Sequence, residues 1–400
     1  MKFFLALFAL VAVAHCGTIR PSRHHHLSQN VTDMICGFGY PVQNMTVQTK
    51  DGYILDLIRI PGDVNYRQEF EQKQRQEREV VTGKPAVVLM HGLLSSCEDF
   101  VIGGPSEGLA FVLANRGFDV FLANSRGSMY ARKHTTLNPE KDAAFWRFSF
   151  EEIGTKDLPV IIDEILKVTQ QNQVQYIGHM QGSTSFYVLA SEKPEYNQKI
   201  EKMVSLGPVA FMKYSTNEML NLIAEKQQSK SWQMKNLGVN EFHPSTDFVA
   251  SAGQQDCMSR EINERVCQNP YFLINGFESA YLNMTTIQRY VPRLPAGSST
   301  KEVLHFTQLI KTGRFEKYSN GGQASVEEYD LTKVTVPVSI VYTPNDKISA
   351  EQDVKQLISK LPNVVDHIKI DQLTNNLDLL FSENVQSVVY SNVLNVLKGF

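Results

Sequence analysis

The sequence predicts an α/β fold: a mainly parallel central sheet, helices on both faces, and a helical segment inserted late in the chain. Three observations carry this. Short apolar, β-branched runs alternate with helical patterns. A tight strand-turn-helix stretch falls at 174–190. The alternation then lapses over 208–329 and resumes afterwards.

The strand candidates are 87–90, 120–123, 174–177, 203–206, 338–342 and 364–370. Before the third of these, Leu158, Ile161, Ile162, Ile165 and Leu166 recur at helical spacing. Asp157 is placed to cap that helix, and Pro159 sits in its first turn. The stretch 65–79 holds as many acidic as basic residues, with Glu69/Lys73 and Glu71/Arg75 spaced for helical pairs. It reads as an exposed charged insertion. The stretch 208–329 carries recurring aromatics and methionines, among them Phe211, Met212, Tyr214, Met219, Trp232, Met234, Phe242, Tyr271, Phe272, Phe277 and Tyr281. It is expected to form a helical cap, apolar in its own core and in part around a ligand.

The expected organisation is a signal peptide at 1–16, a polar tail at 17–30, the first part of the core at 31–207, the cap at 208–329 and the second part of the core at 330–400. The signal peptide rests on Lys2 followed by an apolar run that ends in small residues near Ala14 and Cys16. That run is shorter than the ~20 apolar residues of a spanning helix, and no later segment is long and apolar enough to span. Secretion is therefore expected, with the lysosome as the alternative destination. Sequons at Asn30, Asn44 and Asn283 agree with that route. With a net charge of -3 and no long run of one sign, the chain offers no footprint for nucleic acid.

Cys257 and Cys267 are close enough in sequence to staple one loop, or to remain two buried thiols; the disulfide is the favoured reading. Cys36 and Cys97 pair or stay free, and the sequence does not decide. No cysteine falls in a metal-ligand spacing. His24, His25 and His26 read as part of the tail, so no metal and no cofactor is expected.

Gly178-His179-Met180-Gln181-Gly182 occupies the strand-turn-helix stretch. This is the pattern of a nucleophile elbow, G-x-S-x-G, with methionine at the nucleophile position. Glycines flank the turn because strand and helix approach closely there. Upstream, His91-Gly92-Leu93 ends a strand candidate. In hydrolases with such an elbow, that loop and the residue after the nucleophile each give one backbone N–H to the oxyanion hole. The candidates here are Leu93 and Gln181.

The chain resembles the acid lipase family, the gastric and lysosomal lipases and their insect relatives. The matching blocks are Gly52-Tyr53-Ile54-Leu55, His91-Gly92-Leu93-Leu94-Ser95-Ser96, Asn124-Ser125-Arg126-Gly127, Tyr130-Ala131-Arg132-Lys133-His134, Phe145-Trp146-Arg147-Phe148-Ser149-Phe150, Asp157-Leu158-Pro159, Tyr329-Asp330-Leu331 and Asn345-Asp346. They cover nearly everything from Val31 onward. The resemblance implies an α/β-hydrolase fold with a mainly parallel central sheet and an inserted helical cap. It implies hydrolysis of acylglycerols or sterol esters through a serine, aspartate and histidine in that order. It also implies that Cys257 and Cys267 correspond to the cysteine pair of the family cap.

The aspartate position matches Asp346. The serine position holds Met180, and the histidine position holds Asn376. A thioether has no proton to give up and forms no acyl-enzyme. A carboxamide does not take and return a proton near neutral pH. In a serine protease, losing the serine or the histidine alone costs ~10⁶ in turnover. Ser183 and Ser185 lie past the elbow, a turn away from its tip, and His179 flanks it; all three read as structural.

Three readings follow. The first is a secreted family member without catalysis that binds or carries a fatty acyl or neutral lipid, with Met180 as a soft wall of the pocket. The second is a lipase or carboxylic ester hydrolase of lipid catabolism working through another residue. The third is a secreted partner-binding protein whose pocket is filled by its own side chains.

Overall fold

The computed structural model describes residues 30–76, 80–257, 264–277, 280–319 and 326–398, without the side chains of 253–257, 264 and 398. The expected signal peptide, His24 to His26 and the end of the charged insertion at 77–79 lie outside the described residues.

The described residues hold a nine-stranded sheet in the order β1-β2-β4-β3-β6-β7-β8-β9, with β5 paired to β2. The strands are β1 Gln43–Gln48, β2 Tyr53–Ile60, β3 Ala86–Met90, β4 Asp119–Ala123, β5 Lys133–His134, β6 Val174–His179, β7 Ile200–Leu206, β8 Val338–Tyr342 and β9 Val364–Lys369. From β4 through β3, β6, β7 and β8 to β9 every pairing is parallel. β3, β4 and β8 are buried along their whole length. Such strands are covered on both faces and read as continuous apolar runs, as these do.

All six strand candidates are present, within a few residues of their expected ends. Three further strands, β1, β2 and β5, were not expected. They form an antiparallel margin on β4. In β1 and β2 buried residues alternate in part with half-buried ones, so each strand has a wetter face.

The helix Leu158–Thr169 follows its apolar spacing, with Pro159 in its first turn. Asp157 does not cap it. Its side chain turns instead to Arg126, accepting from Nε at 2.8 Å and from the backbone N–H at 3.1 Å. Both side chains are buried, and a buried guanidinium needs a counter-charge more than a helix end needs a cap. In the charged insertion, the helix Arg67–Arg75 forms both expected pairs, Lys73 to Glu69 at 2.6 Å and Arg75 to Glu71 at 3.9 Å.

Between β7 and β8 the described residues are helical, from Glu218–Lys226 to Thr300–Thr312, and add no strand to the sheet. Of the aromatics and methionines singled out there, Phe211, Met212, Met219, Phe242, Tyr271, Phe272 and Phe277 are buried. Tyr214, Met234 and Tyr281 face solvent. Cys97 is a free buried thiol and Cys36 is disulfide-bonded, so these two do not pair with each other. Cys267 is disulfide-bonded, while the side chain of Cys257 lies outside the description.

β3 and β6 are neighbours, with Met90 opposite Gly178. From β3 the chain steps outward to β4, and from β6 to β7. The carboxyl ends of these two strands therefore flank the crevice where open parallel sheets place their sites. A Cβ on Gly182 would stand 2.2 Å from the Met90 carbonyl oxygen, and one on Gly178 would stand 2.6 Å from the Gly182 carbonyl carbon. Backbone cannot give way at such distances. Gly182→Ala is expected to destabilise the fold by about 3 kcal/mol, whereas Gly37→Ala, with open space at its Cβ, stays within about 0.5 kcal/mol of the parent. Denaturant melts compare the two, and a Gly182→Ala protein as stable as the parent contradicts the close approach.

Candidate active site

The elbow is built as the glycine pattern requires. β6 ends at His179, Met180 makes the turn, and the helix Gln181–Glu192 starts at once. Met180 has φ 46° and ψ -109°, a conformation that side-chain-bearing residues rarely adopt. It is held there from both sides: its N–H donates to the Leu206 carbonyl at 2.9 Å, and its carbonyl accepts from the Ser183 and Thr184 N–H groups. The strained turn that would present a serine hydroxyl thus persists around a thioether.

The candidate oxyanion loop is fixed by His91. The Ser125 N–H donates to His91 Nε2 at 3.2 Å, so the proton sits on Nδ1, which donates to the Gly92 carbonyl at 2.8 Å. Burial pushes this imidazole down to about 4, and it stays neutral. The Leu93 and Gln181 N–H groups find no acceptor among the described residues. Both residues line the same small cavity, with Met180.

Asp346 and Asn376 meet, as a triad acid and base would. Asn376 Nδ2 donates to Asp346 Oδ1 at 3.3 Å. The same oxygen accepts from the Ile348 and Ser349 N–H groups at 2.8 and 3.0 Å. Asp346 is 5% exposed and Asn376 fully buried. Burial pushes the Asp346 carboxyl up to about 6, against the three hydrogen bonds that lower it. Asp346 Oδ2 and Asn376 Oδ1 have no hydrogen-bond partner among the described residues.

The serines and histidines singled out near the tip are buried or turned elsewhere. Ser183 Oγ donates back to the Gly178 carbonyl at 2.7 Å, and Ser185 is buried in the helix. His179 Nε2 donates to the Asn376 carbonyl at 3.2 Å, and its Nδ1 faces Gly92, where an added Cβ would stand 3.3 Å away. Burial holds it neutral, down to about 4. His367 is exposed on β9, at the edge of the sheet.

The cavity is lined by Leu93, Met180 and Gln181 from the core and by Val209, Met212, Leu220, Ile274, Phe306 and Ile348 around them. Its volume is about 10 Å³, room for a single water. An acyl chain enters only if the side chains above Met180 move. No group of three or more candidate metal ligands occurs among the described residues.

The sequons stand in different settings. Asn30 is exposed and caps the helix Val31–Gly37. Asn44 lies on β1 and accepts from Thr32 Oγ1 at 2.7 Å. Asn283 caps the helix Met284–Tyr290 while its amide nitrogen donates to the Glu107 carboxylate. Sequence reasoning missed two buried acids beside the oxyanion loop, Glu98 and Asp99. The one available signal was a pair of acids inside an otherwise apolar and small-residue stretch.

The profile of the partial alpha/beta-hydrolase lipase region matches residues 31–104, and that of the alpha/beta hydrolase fold matches 85–372. The gastric triacylglycerol lipase of Homo sapiens is 34% identical over 380 residues, which is 93% of this chain and 91% of that protein. The lysosomal acid lipase/cholesteryl ester hydrolase of Homo sapiens is 32% identical over 93% of this chain and 92% of its own. Lipase 3 of Drosophila melanogaster is 33% identical over 90% and 91%. Among solved structures, a carboxylesterase from Bacillus subtilis superposes with a TM-score of 0.51 at 13% identity, over 92% of this chain and 96% of its own. That likeness concerns the fold alone. At this identity over nine-tenths of its length, the chain belongs to the acid lipase family of gastric and lysosomal type, within the α/β-hydrolases.

Proposed function

We propose that this protein is a secreted, catalytically inactive acid-lipase homologue that holds an acyl or neutral lipid under its cap. One observation carries the reading: Asn376 takes the hydrogen bond to Asp346 that a triad base would take, in a site whose elbow presents Met180. The acid is still held, but neither a nucleophile nor a proton carrier stands above it. Two backbone N–H groups and an apolar wall remain, and these can hold a carbonyl oxygen without attacking its carbon. The relatives named as lipases for triacylglycerol and cholesteryl ester suggest the chemical class of the ligand. Secretion rests on the apolar N-terminus and on the sequons at Asn30, Asn44 and Asn283, and a Cys257–Cys267 disulfide fits the same compartment. No helix among the described residues is long and apolar enough to cross a membrane.

A second reading is favoured by the cavity of about 10 Å³. On this reading the pocket is filled for good, and the protein acts by binding a partner at its surface. The hydrolase reading has less support, since Ser183 and Ser185 are both buried in the elbow helix.

The proposal predicts that purified protein hydrolyses a short-chain p-nitrophenyl ester no faster than a heat-killed control. Labelling by a fluorophosphonate together with turnover above that control would sink it. The double variant Met180→Ser/Asn376→His is expected to regain labelling and turnover, because the elbow, Asp346 and the oxyanion N–H groups are in place; either single variant stays near background. A folded double variant that takes no label contradicts the retained geometry.

Asp346 supplies a pH test. Its folded acid strength is shifted from the ordinary 3.8 to about 6, so its contribution to stability is whole below pH ~4 and is lost as pH rises through 6. An acid without a catalytic partner then destabilises the fold by up to about 3 kcal/mol at neutral pH. Asp346→Asn should raise the melting temperature at about pH 7.5 and leave it nearly unchanged at about pH 4. A loss of stability at the higher pH would show that the ionised carboxylate supports the fold.

A further inference from the structure

Around the elbow tip, buried acceptors outnumber donors. His179 Nδ1, Gln181 Oε1, Asp346 Oδ2 and Asn376 Oδ1 are buried and have no hydrogen-bond partner among the described residues. All are acceptors. His179 Nδ1 is one because the ring's proton sits on Nε2, which donates to the Asn376 carbonyl. Against them stand the backbone N–H groups of Leu93 and Gln181, free among the described residues and suited to a carbonyl oxygen.

One of these acceptors is tied to both departures from the family pattern. Asn376 stands between Asp346 and the elbow. Its Nδ2 reaches Asp346 Oδ1 at 3.3 Å, its carbonyl takes His179 Nε2 at 3.2 Å, and a Cβ on Gly207 would stand 3.1 Å from its own Cβ. Gly207 follows Leu206, whose carbonyl holds the Met180 N–H at 2.9 Å. With Nδ2 spent on the acid, Oδ1 is the half of the carboxamide left for the tip. In a serine triad the acceptor at this place is filled by the nucleophile's own hydroxyl. Here the tip is Met180, and a thioether has no proton to give. The acceptor has outlived its donor, on a residue that is fully buried.

A buried acceptor left without a donor weakens any complex that seals it in. A plain ester brings no remedy, because its carbonyl and alkoxy oxygens only accept. In a fully esterified glycerol or a sterol ester, the alkoxy oxygen would face Oδ1 as acceptor to acceptor. A hydroxyl on the carbon next to the esterified one changes the match. With the ester carbonyl on the Leu93 and Gln181 N–H groups, that hydroxyl falls on the alcohol side, where a triad base meets the leaving group. We propose that Asn376 Oδ1 selects an acyl ester whose alcohol keeps a free hydroxyl beside the ester, a partial acylglycerol, over fully esterified glycerols and sterol esters. The ligand's hydroxyl stands in for the serine hydroxyl that Met180 lacks. No bond forms or breaks. The selection rests on the lipid-holding reading and names its ligand.

A matched pair of esters tests this on the full secreted protein. Ethylene glycol monooleate and propyl oleate have alcohol parts of equal length and differ by a hydroxyl in place of a methyl. Supplied as an equimolar mixture they compete for the protein, and the bound esters are extracted and quantified by mass spectrometry. The wild-type protein should hold the glycol ester in about tenfold excess. A pocket without an acceptor ranks the pair the other way, because the methyl is the more apolar group. Met180→Ser returns a hydroxyl to Oδ1, and Asn376→Leu removes the acceptor; each should abolish the excess. Should Asn376→Leu fail to fold, Met180→Ser decides. A wild-type protein that holds the two equally, or prefers the propyl ester, overturns the selection and leaves the lipid-holding reading standing. An excess that persists in Met180→Ser places the recognition elsewhere and overturns the selection too. If neither ester binds, the lipid-holding reading falls and the selection with it.

Discussion

Gly182 touches the end of β3 so closely that no side chain fits between them, and Gly178 packs as tightly on the start of the elbow helix. This double close approach fixes the turn at Met180, the direction of the helix Gln181–Glu192 and the distance from the oxyanion loop to the elbow. The other parts of the site are arranged around it. His91 ties the oxyanion loop to Ser125, His179 ties the elbow to the backbone of Asn376, and Gly207 at the end of β7 leaves room for the Asn376 side chain. Changing what stands at the tip leaves this frame intact, because the frame is made of backbone.

On the proposed reading, that separation explains how a family member loses its chemistry and keeps its shape. Met180 replaces a side chain that projects from a turn already held by backbone hydrogen bonds. Asn376 replaces a ring but keeps one donor toward Asp346. What it does not keep is the ability to become a cation when Asp346 is an anion. The buried carboxyl is met by neutral donors alone, and these only partly offset the burial that pushes it up to about 6. A catalytic residue kept for its reactivity commonly lowers stability; here the lowering persists on a reading that assigns the residue no reaction.

Much of this was legible in the sequence, and what was not has physical reasons. The parallel strands read clearly because burial on both faces makes them continuous apolar runs. The elbow and the oxyanion loop read clearly because glycine is dictated by local backbone geometry. β1 and β2, at the antiparallel margin, have mixed faces, and their weaker pattern passed unnoticed. Asp157 looked like a cap because its buried partner, Arg126, lies 31 residues away. The contact of Tyr290 with Asp99 spans 191 residues and leaves no local trace. The size of the cavity was equally hidden, since it depends on how Met212, Ile274 and Phe306 pack over Met180. The apolar nature of those residues fits a lipid pocket and a filled core alike.

Native mass spectrometry of the protein as secreted from eukaryotic cells addresses the central claim most directly. The account predicts a fraction of molecules carrying one lipid-sized mass that dissociates as an intact acyl ester, neither cleaved nor covalently attached. A protein that emerges at its bare glycosylated mass, and takes up no acyl ester when one is supplied, would contradict it.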